Sequence, residues 1–502
     1  MGDVQVIVAN TNHVKGVGVG HSWWSEQFCA GNSREAVDVL LTSIQNKSIV
    51  VDESAQTAKV DAGIVTADFL DYISKYGRGW ALGNHPWFTY QTVGGALATG
   101  SHGSSLTYGS LSSDDQLFAL DVVLANGTFA QISKASHPFL WRAFQVSVGR
   151  IGIITAATFK IVPNANMYRW KVDVGVNSFL SNMLALQNGF NRGGEQDPDV
   201  QDFDGTQFCW FLTRRENSTA ALWHSKVNWA GPAPPPAAAW SLPPVHRPVL
   251  GSLTDAQLAA KLAAGAPSLV FRQPIGGATQ RGTPLTISDL GVAAPRGFGD
   301  ATALSMSPLF TNGTFPARQA IIAESLMLYN YQTDGIQYDQ YEVSISLSRA
   351  HDCFAAVAEL AYGPQQRWRG FRAPALIRIV KKESGLLSHT HDGPRIYVNV
   401  EDYIKYQSFD AQNQDFQAVW SLLRSPVCQG RMHWGKTGWV GSGFKGAAEY
   451  SDTWCDFGCA VSELDPTHKF ASLSPIWNWS TNDMGACCIP GQGFDHNKCK
   501  CR

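Results

Sequence analysis

The chain has 502 residues, with 39 Lys plus Arg against 41 Asp plus Glu, and 11 % of it is aromatic, including 17 Trp. That length supports two or three domains with a large buried core. The near-balanced charge offers no field to draw nucleic acid or an anionic membrane, and no run of about 18 apolar residues is present to span a bilayer. The aromatic load fits either pockets that stack on rings and sugars or a large packed core.

MGDVQVIVANTN at the start reads as part of a helix, with no charged-then-apolar leader before it. Sequence upstream of Met1 is therefore expected. Short β-branched runs follow between Gly-rich turns: SIVVD, AKVDA, LDVVLANG and GIITAATFKIV. TADFLDYISKYG reads as a helix, and LANGTFAQI as a hairpin turning on Asn-Gly. Beyond Pro163 the pattern lengthens. SFLSNMLALQNGF and SLTDAQLAAKLAAG read as amphipathic segments, HDCFAAVAELAYG as a helix, DQYEVSISLS and ALIRIVKK as strands, and residues 230–248 as an extended Pro/Ala-rich loop.

Two stretches carry chemistry. Residues 15–24, KGVGVGHSWW, space Gly16, Gly18 and Gly20 as GxGxG. A Rossmann loop needs GxGxxG before a helix, so that reading is poor. Successive glycines still let backbone amides approach a phosphate. Residues 91–112, QTVGGALATGSHGSSLTYGSLS, add five glycines, a histidine and many hydroxyls. VSVGRIGIITAATFKIVP at 146–163 completes the set.

These three stretches, in this order, resemble the flavin-binding segments of the vanillyl-alcohol-oxidase superfamily, whose FAD domain is of the PCMH type. RMHWGKTGW at 431–439 and CAVSELDPTHKF at 459–470 are similar to its sugar-lactone oxidases, the L-gulonolactone and D-arabinono-lactone oxidases, particularly the plant-type ones. The resemblance implies an α+β fold. A two-subdomain PCMH-type FAD-binding domain would occupy 1–163. A substrate or cap domain, an antiparallel sheet with flanking helices, would occupy 164–480 and send its HWGK segment back to the flavin. A Cys-rich tail would fill 481–502. The family's additional strand and helix before the first loop are missing from this chain.

By the same resemblance FAD is held by Gly16, Gly18, Gly20 and Ser22, by Gly94, Gly95, Ser101, His102 and Gly103, and by Gly149, Gly152 and Ile153. His21 corresponds to the histidine that bonds covalently to the flavin ring. Neutral imidazole is a competent nucleophile for that bond, whereas a packing role is the plain alternative. Hydride transfer leaves negative charge on the flavin that a cation stabilises, and the carbinol proton needs a base. HWGK supplies His433 and Lys436. The family's Glu-x-Arg pair falls on ALIRIVKK, where Arg378 is present but Leu376 stands at the glutamate position. A substrate-gripping carboxylate is thus expected to be lost, and His389, His391 and His433 all stand as candidate bases.

The implied activity is FAD-dependent oxidation of a sugar lactone, with oxygen or another acceptor, in ascorbate-type biosynthesis. An alditol or oligosaccharide substrate is the first alternative, and a flavin- or carbohydrate-binding protein with little turnover the second. No metal is expected. Six of the ten cysteines, Cys455, Cys459, Cys487, Cys488, Cys499 and Cys501, crowd the C-terminus without the CxxC spacing of zinc sites. Disulfides and an oxidising compartment are expected instead. Acceptor triplets at Asn46, Asn126, Asn217, Asn312 and Asn478 fit a secreted or secretory-pathway glycoprotein, with membrane association left open.

Overall fold

A computed structural model describes residues 2–31, 35–44, 48–164, 166–210, 219–226, 313–316, 339–365, 367, 375–402, 410–439 and 441–477. The 230–248 loop, the SLTDAQLAAKLAAG segment and Cys487, Cys488, Cys499 and Cys501 lie outside them.

The N-terminal half has two parts. The opening segment is a helix, Gly2–Asn10, and it buries Val4 and Val8. The strand His13–Val17 then pairs in parallel with Ala36–Leu40. The second part is a five-stranded antiparallel sheet in the order Ile49–Asp52, Thr57–Asp61, Ile153–Lys160, Leu117–Val123, Phe129–Ile132. Period-2 burial at Ala58 and Val60 sets the face of the second strand. The hairpin at Asn126-Gly127 turns as expected, with Gly127 at φ +79° and its N–H on the Leu124 carbonyl. Helices Thr66–Lys75, Val93–Ala98 and Pro138–Gln145 pack around this sheet.

The second half is built on an eight-stranded sheet, ordered Gly313–Pro316, Asn166–Gly175, Thr219–Lys226, Thr206–Trp210, Ala375–Val380, Arg395–Asp402, Asp339–Ser346, Arg431–Met432. Every pairing in it is antiparallel. Its two faces differ in chemistry. Phe208, Trp210, Ile377, Ile379, Val398 and Val343 fill one buried face, against which helix Val176–Gly193 lays Phe179. Phe179 also meets Phe354 of helix Ala350–Tyr362. The opposite face carries Gln207, Arg378, Tyr397, Asn399 and Glu342, equally buried, and turns toward the first half.

The halves are joined across that polar face. Ser104 Oγ accepts the Ile379 N–H at 2.9 Å and donates to the Thr206 carbonyl. Ser105 bridges Val380. Farther along the chain, the Lys469 carbonyl accepts from Val14 N–H at 2.9 Å, so residues after helix Asp452–Leu464 return to the first strand.

Trp24, Trp439, Trp434, Trp477 and Trp454 stack in one continuous column, with centroids 4.6–5.3 Å apart. All five are buried. Much of the tryptophan content therefore serves the core. Cys353 and Cys428 form a disulfide that the tail-centred expectation missed. Cys455 is disulfide-bonded as expected, whereas Cys459 is a buried thiol.

Candidate active site

The glycine loop begins at a buried lysine. Lys15 Nζ donates to the carbonyls of Gly149 at 3.1 Å and Phe470 at 2.7 Å. Burial and nearby Arg150 hold its pKa well below the usual lysine range. Lys15 thereby ties the first Gly-rich segment to the third. Beyond it the loop runs against Thr92. A Cβ on Gly18 would stand 2.1 Å from Thr92 Oγ1, so only glycine allows this approach.

The three Gly-rich segments line one cleft of about 1180 Å³, counting the space open to solvent. From the first segment come Gly16, Gly18, Gly20, His21 and Ser22. Gly94, Gly95, Ser101 and His102 come from the second, and Gly149, Gly152 and Ile153 from the third. The cap sheet and the segment beyond it add Glu342, Arg378, His433 and Lys436. Gly103 is the exception. Its place is in packing, where a Cβ would meet the His85 carbonyl at 2.4 Å, and it does not line the cleft.

The cleft suits a large cofactor. Gly20 (φ +71°) and Gly149 (φ +62°) face open space, with nothing within 4 Å of a built Cβ, so side chains there would fill the cradle. Gly94 and Gly95 act differently from a phosphate-binding amide pair. Their N–H groups are used internally, on the Ala62 carbonyl and on Thr92 Oγ1. They contribute bare surface.

His21 stacks on Phe88 (centroids 4.0 Å) and meets Trp23 edge-on. Burial, then the Lys436 ammonium, push its pKa down to about 3, so the ring is neutral. Lys436 donates to Gln340 Oε1 and lies over the Trp23 ring, 5.1 Å from its centroid. The HWGK motif is thus divided. Trp434 is core, and Lys436 belongs to the cleft.

The expected loss of a carboxylate is corrected by the register. Leu376 opposes Asn399, and Asn399 opposes Glu342. Glu342 therefore occupies the same row as Leu376, two strands away. Its Oε1 lies 2.5 Å from Arg378 Nη2 and 3.3 Å from His102 Nε2. Both partners hold its carboxyl well below the usual range against the opposing effect of burial. Arg378 Nη1 also donates to the His102 carbonyl at 3.3 Å. The sequence did carry a signal for Glu342. In DQYEVSIS, Tyr341, Val343 and Ile345 alternate with Gln340, Glu342 and Ser344, and a polar row on a strand buried on both faces marks a site.

The candidate histidines separate by hydrogen bonding. His433 is buried, and its Nδ1 accepts the Gly435 N–H at 3.1 Å. The proton is therefore on Nε2, and burial pushes its pKa to about 3. His389 stacks on His433 (4.7 Å) and uses Nε2 to accept the Trp434 N–H at 3.2 Å. His391 stacks on Tyr450 and contacts the Ser388 carbonyl. Neither His389 nor His391 lines the cleft, so both leave the set of bases. His102, Glu342 and His433 bring ligand atoms within 4.8 Å of one another. The Gly435 N–H takes the Nδ1 lone pair of His433, and the Arg378 guanidinium already neutralises Glu342.

Residues 3–133 match the family described as FAD binding domain, and residues 302–480 match the family described as D-arabinono-1,4-lactone oxidase. The chain thus carries a stretch similar to FAD binding domains, followed by one similar to D-arabinono-1,4-lactone oxidases. The chain is 25 % identical over 239 residues to L-gulonolactone oxidase of Mus musculus, covering 44 % of this chain and 49 % of that protein. It is 35 % identical over 133 residues to D-arabinono-1,4-lactone oxidase of Eremothecium gossypii, covering 26 % and 24 %. The chain thus spans no more than about half the length of these relatives. A crystal structure of cholesterol oxidase from B. sterolicum shares its fold, with TM-score 0.62, 15 % identity, and 93 % and 90 % of the two chains covered. The chain accordingly has the α+β, PCMH-type architecture that its three Gly-rich segments implied.

Proposed function

We propose that this FAD-linked oxidase oxidises a sugar lactone of the L-gulonolactone or D-arabinonolactone class at a carbinol carbon, giving an ascorbate-type product. The observation that carries the reading is convergence. Lys436 and His433 of one segment, with Arg378, Glu342 and His102 from three others, line the same cleft as the bare glycines. FAD, when bound, supplies the hydride acceptor.

The chain's own residues have distinct tasks. The 16–22 loop, Gly94, Gly95, Gly149 and Gly152 hold the cofactor, and neutral His21 is placed to carry a covalent link to it. Lys436 and Arg378 provide positive charge where the site gains negative charge on reduction. Glu342 and Nε2–H of His433 offer an acceptor and a donor to lactone hydroxyls. Oxygen or another two-electron acceptor completes turnover. Names of the relatives, the donor set and the cleft support this substrate class.

An oxidising compartment is part of the same proposal. The Cys353–Cys428 disulfide, bonded Cys455 and the exposed Asn126 triplet at a hairpin tip support a secretory location.

The test is anaerobic mixing of FAD-loaded protein with aldonolactones, alditols and oligosaccharides, followed by air. Bleaching by lactones bears out the proposal, and recovery in air identifies oxygen as acceptor. Bleaching only by alditols or oligosaccharides changes the substrate class. Bound flavin that nothing bleaches overturns the enzymatic reading.

A further inference from the structure

We propose that His102 is the catalytic base, its Nε2 taking the carbinol proton of the substrate, with Glu342 beside it to stabilise the imidazolium. This rests on the carbinol-oxidation reading above and deepens it. The observation is an unused lone pair. His102 Nδ1 lies 2.9 Å from the Gly103 carbonyl. A carbonyl only accepts, so the proton of neutral His102 is on Nδ1 and Nε2 is bare. Among the described residues, Nε2 has no hydrogen-bond donor, although its side chain is 1 % exposed. The polar atom facing it is Glu342 Oε1, at 3.3 Å, another acceptor. Two buried acceptors face to face are unfavourable until a proton enters between them. A substrate hydroxyl in the cleft brings one.

The other candidate bases on the cap side of the cleft are already used. His433 spends its Nδ1 lone pair on Gly435 N–H and has Nε2–H to donate. His389, behind it, spends Nε2 on Trp434 N–H. Lys436 donates to Gln340. Glu342 is held by the Arg378 guanidinium and is a weak base. His102 is further fixed by Tyr397, whose ring lies 3.7 Å from its own. Burial first, then Arg378, lower its pKa, so the resting ring is neutral and able to accept. The charged and titratable groups facing it are Glu342, Arg378, Tyr397 and His433, with His389 behind.

The step balances. The carbinol O–H proton goes to His102 Nε2, the O–H bond pair becomes the second bond of the new carbonyl, and the C–H pair leaves as hydride to bound FAD. Glu342 then faces an imidazolium instead of a lone pair. Release of the ketone product returns the proton to solvent.

Two measurements test the assignment. The first needs no turnover: ¹⁵N-histidine spectra of the FAD-loaded protein, with His102 assigned by its loss in His102→Gln. The expected state at pH 7 is the Nδ1–H tautomer, with the Nε2 signal moving toward hydrogen-bond acceptance on adding a lactone. An Nε2–H tautomer or an imidazolium overturns the proposal. The second is anaerobic flavin reduction against pH. His102→Gln is expected to slow reduction by about 10²–10⁴-fold at unchanged FAD content and to abolish the acid limb. Glu342→Gln should move that limb to lower pH, and His433→Gln should slow reduction but keep it. A His102→Gln enzyme within about tenfold of wild type, with its limb intact, also overturns the proposal. If no lactone or polyol bleaches wild-type flavin, the carbinol-oxidation reading fails, and the nitrogen spectra decide the lone pair independently.

Discussion

Glu342 Oε1 stands 2.5 Å from Arg378 Nη2, although the strands that carry them are separated by a third, Arg395–Asp402. Both side chains are buried. Removing one charge of a buried pair leaves the other without compensation, at about 3–5 kcal/mol. Glu342→Gln is expected to lower unfolding free energy by about that amount. Urea unfolding of the wild type and the variant measures it, and an unchanged midpoint would contradict the pairing.

Gly149 tests the cofactor cradle. At φ +62° an L-residue carries strain of about 1–2 kcal/mol, and its side chain would enter the cleft. Gly149→Ala should fold but purify with less FAD than wild type, as read by the ratio of flavin absorbance to protein absorbance. Full FAD content would show that the cofactor lies elsewhere.

His21 tests the covalent link. Wild-type protein denatured in acid should keep its yellow colour in the pellet. His21→Ala should release flavin into the supernatant. Release from the wild type would reduce His21 to a packing residue against Phe88.

The buried histidines predict sensitivity to acid. His85 and His391 have pKa values pushed to about 4, and His433 to about 3, mainly by burial, against 6.5 for the unfolded side chain. Below pH 6.5 the unfolded chain binds protons that the folded one refuses. Stability therefore falls as pH drops from 6.5 to about 4, by about 1.4 kcal/mol per pH unit for each histidine. His391→Gln should make that slope shallower by one proton in a series of urea titrations. Parallel slopes would place His391 in contact with solvent.

The Cys353–Cys428 bridge spans 75 residues of sequence. Closing a loop of that size constrains the unfolded chain by roughly 2–4 kcal/mol. A Cys353→Ser, Cys428→Ser double variant should melt several degrees lower than wild type in the same buffer. Equal melting temperatures would show that the bridge adds nothing to stability.

Much of this molecule was legible in the chain. The β-branched runs SIVVD, AKVDA and GIITAATFKIV became strands of one sheet, and Asn126-Gly127 became its hairpin turn. These outcomes follow from contacts within a few residues, where side-chain alternation and φ preference act directly. The cleft glycines were legible for the same reason. Gly103 was misplaced because a glycine required for close packing and one required for ligand approach look alike in sequence.

By itself, then, the sequence determined the local pieces: three Gly-rich segments, two strands beyond Pro163 and the motif at 431–439. Tertiary structure alone decided which charges meet and what faces the lone pair of His102. Glu342 supplies the carboxylate that Leu376 lacks because strand order and register place both in one row. His102 turns its Nε2 toward Glu342 because the cap sheet packs against the second Gly-rich segment. Pairings between residues 36 and 276 positions apart depend on the packing of whole elements, and no short pattern along the chain encodes them.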